Sequence, residues 1–465
     1  MCLHAIGSVA LTLTGCATYQ ARPLEPQHTA RAFEQRRLDD PALQRYIGAH
    51  TAGEALPAGV WTPATLTLAA FYFSPELDLA RARAATAQAT VVTAGERPNP
   101  ALLLPLGYTV RGAGNASPYL IGLGLDIPIE TAGKRGYRQA RAEDLGIAAR
   151  LAIGEVAWGL RGRLRAALLD LYRETHTRAL LERRLAAQTR ALGLLERRLA
   201  LGAASVVETH TARLATADLE VALARAEAAR ADDRARVAAL IGLPLDGLNG
   251  VEIRLDAFEH GAPLPPPAEV RREALRNRAD LRIALARYDA SQAALQLEIA
   301  RQYPDVHLGP SYTFDAGAWK LGLPLSGIAL PLFNRNQGPI AEAEARRKEA
   351  AAEVLGVQAR AIGAVDGALA ALAAADTAAH RARALGEAHA AALHDTQRAF
   401  DAGRADALAL ALAQDALAAG DLTRLDARVR EQQAAGRLED ALQRPLGAGD
   451  APGTAIHDIA EVTRP

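Results

Sequence analysis

Residues 329–347 read "ALPLFNRNQGPIAEAEARR". The first part alternates like a strand and ends in Pro331, Leu332 and Phe333. A polar turn, Asn334 to Gly338, follows, and then an Ala/Glu/Arg run with the composition of a helix. The same passage from strand to helix occurs earlier in the chain. "DIPIETAGKRGYRQARAE" (126–143) answers to it, with Gly136 matching Gly338 at an offset of 202 residues. Two further landmarks repeat. "RPNPALLLPLGYTVRG" (97–112) answers to "RQYPDVHLGPSYTFDAG" (301–317), with Pro100 matched by Pro304. "RRLALGAASVVE" (197–208) answers to "QRAFDAGRADALA" (397–409), with Gly202 matched by Gly403. Three landmarks in the same order, at offsets of 204, 202 and 201, indicate a duplication. Each half then reads helix, strand, strand, very long helix, turn, helix.

The strands carry a clear period of two. Over 118–130 the odd positions are apolar (Tyr119, Ile121, Leu123, Leu125, Ile127, Ile129), while Gly122, Gly124, Asp126 and Pro128 are among the even ones. Over 305–315 the even positions Val306, Leu308, Pro310, Tyr312 and Phe314 are apolar, against Asp305, His307, Gly309, Ser311, Thr313 and Asp315. Segment 101–111 alternates likewise, apart from Leu103. Segment 318–332 starts in phase at Trp319 and flips to Ile328, Leu330 and Leu332, as a bulge near Ser326-Gly327 would produce. Pro324 sits awkwardly inside a paired strand. Each segment has roughly the 9–11 residues a tilted strand needs to cross a bilayer. One apolar and one polar face is the pattern of a barrel with lipid outside and water inside, and a soluble half-buried sheet alternates in the same way. Four strands cannot close a barrel, and lipid does not tolerate open edges. Spanning strands must therefore be pooled from two chains (eight strands) or three (twelve).

Between Pro128 and Pro244, and again between Pro339 and Pro445, no proline occurs. Unbroken helix from near Ala132 to Leu201 would be about 105 Å long and must pack on others along its length. Gly202 and Gly403 end the two long helices, because glycine supplies the left-handed conformation of a helix C-terminus. Each helix is expected to fold back there as a hairpin. "GLPLDGLNGVEIRLDAFEHGAPLPPP" (242–267) separates the halves, and the tail after Pro445 is expected to lack regular structure.

Composition narrows the function. Lys plus Arg and Asp plus Glu are both 53, so the basic footprint of a nucleic-acid binder is missing. The two cysteines, Cys2 and Cys16, lie at the N-terminus, leaving no disulfide framework or cysteine-rich metal site in the body of the chain. The start, "MCLHAIGSVALTLTGCATYQ", has an apolar core too short to span a bilayer, which reads as a signal-peptide core. No Lys or Arg precedes it, a departure from the usual leader. Leu13-Thr14-Gly15-Cys16 resembles a bacterial lipobox, which implies cleavage after residue 15 and lipidation of Cys16. Ala17 in the next position implies the outer membrane by the same resemblance. No catalytic constellation is present. A helical zinc pair needs His at i and i+4 with a third ligand, whereas His389 and His394 are five apart and His380 lies nine before His389. Neither a dedicated metal site nor a cofactor is expected. "GLGLDIP" lacks the lysine of a P-loop.

Helix–strand–strand–long helix, written twice with two glycine turns and two strand-to-helix junctions, resembles the TolC-like outer-membrane efflux proteins over roughly residues 60–443. The resemblance implies a mainly α fold with a membrane β-barrel portion. In that family a homotrimer pools four strands per chain into a twelve-stranded barrel, continuous with a periplasmic α-helical tunnel. The organisation it implies is a signal peptide (1–15), a lipidated N-terminal and equatorial segment (16–60), a first repeat (61–241), an equatorial linker (242–267), a second repeat (268–444) and a tail (445–465). The implied role is a passive, non-enzymatic exit duct in the outer membrane of a Gram-negative bacterium. Its implied partners are outer-membrane lipid, a periplasmic adaptor and an inner-membrane resistance–nodulation–division pump. "PLFNRNQG" resembles members serving heavy-metal efflux; multidrug or type I secretion ducts are the alternatives. By resemblance, the tips Leu201-Gly202-Ala203 and Ala402-Gly403-Arg404 meet the adaptor. Asp395, Asp401, Arg404 and Asp406 surround the second turn as gate candidates, with His389 the next position. The competing class is a coiled-coil envelope lipoprotein that transports nothing, against which the four alternating strands argue.

Overall fold

Two helices of more than sixty residues set the scale of the molecule. The computed structural model describes residues 17–50, 60–110, 116–261, 266–323, 325–326, 328–446 and 456. In chain order it begins with α1 (Pro26–Glu34), α2 (Pro41–His50), β1 (Val60–Trp61), α3 (Pro63–Phe73) and α4 (Pro75–Gly95). Next come β2 (Ala101–Leu103), β3 (Leu106–Tyr108), β4 (Tyr119–Ile129), α5 (Lys134–Ala200) and α6 (Val206–Ile241). After the linker strand β5 (Glu252–Ile253) follow α7 (Pro267–Asn277), α8 (Ala279–Ala300), β6 (Val306–Leu308), β7 (Ser311–Asp315), β8 (Ala318–Gly322), β9 (Leu325–Ser326), α9 (Gln337–Asp401) and α10 (Ala407–Leu442). At 67 residues α5 is about 100 Å long. Pro339 falls in the first turn of α9, where its missing N–H leaves no hydrogen bond unmade.

The long helices act as spines along which shorter helices are laid end to end. Ion pairs fix the alignment. On the half of α5 nearer the strands lies α4, with Glu76 against Arg163 at 2.6 Å and the α4 carbonyl of Ala94 accepting from Arg138 at 2.8 Å. The far half carries α6, with Glu227 near Arg178 at 3.5 Å and Glu196 paired to Arg213 at 2.7 Å. On the other spine, α8 packs on the near half of α9 and α10 on its far half. The rows meet because α5 also packs on α8 and α10. Alanine makes these close approaches possible: Ala148 meets Ala279 and Ala286, and Ala379 and Ala382 meet Ala427.

Where α4 gives way to α6, a belt surrounds α5. Its core holds Leu66, Leu68 and Phe71 of α3, Leu164, Leu168 and Leu169 of α5, Ile241 of α6, and Leu248 and Phe258 of the linker. Parallel pairing of β1 with β5 stitches the N-terminal segment to that linker. Polar groups are buried beside it: Arg161 reaches Glu439 of α10 at 3.1 Å and stacks on Trp158, whose Nε1 donates to Asp440 at 3.2 Å. Burial raises the Asp440 carboxyl, against the opposing pull of Arg161. Of the tail expected to be irregular, Ile456 is helical and buried in this core.

The strands form four antiparallel runs side by side: β2 with β3, then β4, then β6 with β7, then β8 with β9. A two-residue turn, Ala316 and Gly317 with φ 50° and 86°, joins β7 to β8, the geometry favoured for tight hairpins. Three sequence expectations need correcting, the first being the single run 305–315, which is interrupted at Gly309-Pro310 between β6 and β7. The run 101–111 is broken at Leu104-Pro105, because proline has no N–H for the ladder; its carbonyl still accepts from Gly122 at 3.0 Å. The run 318–332 ends its pairing at Ser326, so Ile328, Leu330 and Leu332 lie beyond the strand. Pro324 and Gly327, the awkward proline and the expected bulge, are outside the described residues.

Candidate functional site

Cross-strand register assembles one continuous apolar face on the sheet. Leu102 stands opposite Leu125, Leu106 opposite Ile121, and Tyr108 opposite Tyr119. On the other side of β4, Leu123 pairs with Tyr312 and Ile121 with Phe314, and these continue to Leu321 and Trp319. This face looks outward: Ile121 is 50% and Leu321 83% exposed. Rings gather toward the hairpin end, with Tyr312 stacked on Trp319 at 4.7 Å and Tyr108 edge-on to Tyr119 at 5.3 Å. The opposite face carries Gly122, Gly124, Asp126, His307, Ser311, Thr313 and Lys320, with Lys320 paired to Asp315 at 2.7 Å. Ile127 and Val306 belong to the apolar face, as their pairing with Leu308 and Ile129 shows. Asp126 is on the polar face, while Asp305 precedes β6 and is engaged at the junction described next.

Each strand-to-helix passage turns on left-handed backbone: Ala132 (φ 54°) and Gly133 (φ 73°) before α5, and Asn336 (φ 62°) before α9. The glycines matched in the sequence, Gly136 and Gly338, fall just inside the helices. Both passages are braced against the end of α8. Lys134 Nζ donates to the Tyr303 carbonyl at 2.6 Å and to Asp305 at 2.7 Å, and Thr131 Oγ1 donates to the Pro304 carbonyl at 2.7 Å. Asn336 Nδ2 donates to the Glu298 carbonyl at 2.7 Å and to its carboxylate at 2.9 Å. Burial works to raise the Glu298 carboxyl, but hydrogen bonds from Asn336 and Arg301 outweigh it and hold it low. Arg138 ties the remaining passage, bridging Glu130 at 2.6 Å to the carbonyls of Ala94 and Glu96.

At the far ends the two hairpin turns share one construction. Gly202 (φ 74°) and Gly403 (φ 69°) follow the helix C-caps Leu201 and Ala402. The N–H of Ala203 reaches back to the Arg198 carbonyl at 2.7 Å, and that of Arg404 to the Ala399 carbonyl at 2.8 Å, the 6→1 closure of a glycine cap. Leu201 is 83% exposed, and Gly202, Ala203, Ala402, Gly403 and Arg404 are also on the surface. Helix α6 opens with a capping box, Ser205 and Glu208 exchanging bonds of 3.1 and 2.7 Å. Helix α10 opens instead on Asp406, whose Oδ1 accepts from the Ala409 N–H at 2.8 Å and whose Oδ2 accepts from Arg198 at 2.5 Å. The backbone N–H of Ala409 first, and then Arg198, hold its carboxyl below the ordinary carboxylate range.

The gate candidates are not gathered into one cluster of contacts. Asp395 pairs with Arg398 and Asp401 accepts from Gln397, both within α9, while Asp406 crosses to α5. His389 lies farther up α9 against Gly420 of α10, where a Cβ would come within 2.6 Å of its ring. Arg198 was absent from the sequence-derived set; a residue offset within each half does not reveal contacts between the halves. Among the described residues no group of three or more His, Cys, Asp or Glu side chains is placed to hold a metal. Cys16 and the leader lie outside the described residues. Among the described residues one helix, α9, is long and apolar enough to cross a membrane by length and composition, yet α8 and α10 pack along it.

Comparison with known proteins adds three findings. The family described as "Outer membrane efflux protein" matches residues 72–243 and 270–443. The cobalt-zinc-cadmium resistance protein CzcC of Cupriavidus metallidurans is 29% identical over 240 residues, covering 50% of this chain and 54% of that relative, so the chain spans about half the length of the relative it matches. The fold is similar to the outer membrane protein VceC of Vibrio cholerae (TM-score 0.66, 21% identity, covering 83% of this chain and 97% of that one). It is also similar to CusC (TM-score 0.66, 17% identity, 82% and 91%).

Proposed function

The chain belongs to the outer membrane efflux protein family, and from that premise we propose that it is the outer-membrane exit duct of a tripartite efflux system. The observation that carries this is the sheet. Four runs present an outward apolar face with rings toward one end, and the outer edge of each outer run has no strand partner among the described residues. A sheet in lipid must close, because unpaired N–H and C=O groups are costly there. Pooling the runs of three copies into a twelve-stranded barrel closes it, and places the polar face on a water-filled interior. The long helices continue that interior as an α-helical tunnel through the periplasm. The repeated order of elements in the two halves supports a duplication.

The work of such a duct is passive: a pump and adaptor supply solute, and the duct conducts it outward. The exposed tips at Leu201-Gly202-Ala203 and Ala402-Gly403-Arg404 are the surfaces offered to the adaptor. The charges around the second turn, Asp395, Asp401, Arg404 and Asp406, hold the resting tunnel closed, with His389 the next constriction. Cys16 anchors the mature chain by lipid. The substrate class favoured is heavy-metal cations, since the curated relative is a cobalt-zinc-cadmium resistance protein. The test is assembly with conduction. Detergent-solubilised protein should scatter light as a trimer and carry KCl current across planar bilayers; a stable monomer without current would refute the duct.

A further inference from the structure

Where β4 and β6 run side by side, Asp126 and His307 meet on the polar face. His307 Nδ1 lies 2.9 Å from Asp126 Oδ1 and 3.1 Å from Oδ2. Two other carboxylates along this run are already neutralised: Asp305, two residues from His307, is held by Lys134, and Asp315 at the hairpin end by Lys320. Asp126 has no lysine or arginine partner among the described residues; its hydrogen bonds are to His307. Both side chains remain open to solvent, at 35% for His307 and 30% for Asp126. An uncompensated carboxylate beside an imidazole nitrogen, exposed on the water side, is a donor set for a borderline divalent cation.

We propose that Asp126 and His307 form a weak transit site for divalent transition-metal cations in the barrel interior, one per chain. The inference rests on the exit-duct reading above. The spacing suits chelation. With metal–nitrogen and metal–oxygen bonds of about 2.0–2.2 Å, two adjacent ligands stand about 2.9–3.4 Å apart, so the pair needs little movement to take one ion. Capture uses the Nδ1 lone pair, so the ring proton moves from Nδ1 to Nε2 and the hydrogen bond to Asp126 gives way to the shared ion. Two protein ligands, completed by water, hold loosely. That is the requirement for conduction, in which an ion must be attracted and then released. Carboxylate with imidazole favours zinc, cobalt or copper over magnesium, which prefers oxygen ligands and keeps its waters.

The experiment uses the full-length protein, with Zn2+ as probe and Mg2+ as control. In planar bilayers carrying KCl current, Zn2+ should produce reversible block of the wild type, and Mg2+ should not at equal concentration. His307→Ala and Asp126→Asn should each raise the half-blocking Zn2+ concentration by at least about tenfold, the scale of a lost metal contact. Ser311→Ala, on the same face, should behave as wild type. His307→Gln replaces His307→Ala if the latter fails to assemble. Isothermal titration of the detergent-solubilised chain should show one weak Zn2+ site per chain, lost in the same variants. Zn2+ acting equally on wild type and variants would reduce the pair to a staple between strands and overturn the proposal; so would KCl current indifferent to Zn2+. Should neither the wild type nor the gate variant Asp401→Asn carry KCl current, the duct reading falls, and the Zn2+ titration decides the site by itself.

Discussion

The sheet and the belt use the same kinds of apolar side chain and leave them in opposite conditions. In the belt Leu164 and Leu168 are wholly buried, enclosed by α3, α6 and the linker of the same chain. In the sheet Ile121 and Leu321 face outward, and the outer runs wait for partners. One region is finished within a single chain. In the proposed duct the other is finished only by lipid and by further copies. Chain folding and duct assembly should therefore respond to different substitutions, and that separation can be tested.

The largest effect is expected in the belt. Leu164→Ala leaves a cavity in a packed core and should cost about 2–5 kcal/mol, seen as a lowered midpoint in thermal unfolding followed by helical circular dichroism. A change within measurement error would mean that the belt does not carry the chain's stability. Next comes the apolar face of the sheet. Ile127→Arg sets a charge against lipid, about 2–4 kcal/mol near a bilayer midplane, and should deplete the trimer in light scattering while helical unfolding stays as in wild type. Asp126→Asn should leave the trimer intact; equal losses from both would erase the distinction between faces.

The hairpin tips come third. At Gly403 the left-handed backbone penalises a side chain, so Gly403→Ala should lose about 1 kcal/mol although nothing crowds the added methyl. Ala203→Trp sits in open surface and should leave the melting temperature alone. If it also leaves efflux unchanged in cells, the first tip is no docking surface. The smallest effect belongs to pH. Asp406 has a folded pKa depressed by the Ala409 N–H and by Arg198, so its contribution is present above the unfolded value of ~3.9 and fades as pH falls through the lower folded value. Asp406→Asn keeps a cap but loses the charge, and should flatten stability against pH across that acid range. An unaltered profile would show that Asp406 is not linked to it.

Much of this architecture was legible because local rules dominate it. Long proline-free stretches gave helices within two or three residues of their ends, and Gly202 and Gly403 turn where a left-handed residue is needed. Strand phase was read correctly where alternation was strict, as in β4. Phase also holds across Leu104-Pro105, where only the pairing is interrupted, and the pairing ends at Ser326, because continuity of a ladder depends on the neighbouring run as well as on the segment itself. The laying of α4 and α6 along one spine was hidden, since contacts of Arg163 with Glu76 and of Arg178 with Glu227 span many residues. For the same reason the Arg198–Asp406 bridge and the Asp126–His307 pair could not be seen. Each joins the first half of the chain to the second.

Arg138 and Lys134 at the start of α5 and Asn336 at the start of α9 link the four places where the chain passes between helix and sheet. Arg138 couples the end of α4 to the start of α5, Lys134 couples α5 to the end of α8, and Asn336 couples that same end to α9. Together they make a series of contacts of charge and carbonyls from α4 through α5 and α8 to α9, which resists the sliding of one passage past the next. Amide exchange should be slow at this level and faster toward the hairpins. A torque applied at Gly202 or Gly403 then has nowhere to go but into the helices below these contacts. The molecule is a stem clamped at its mouth, so bending and untwisting belong to its distal half and the sheet is spared them.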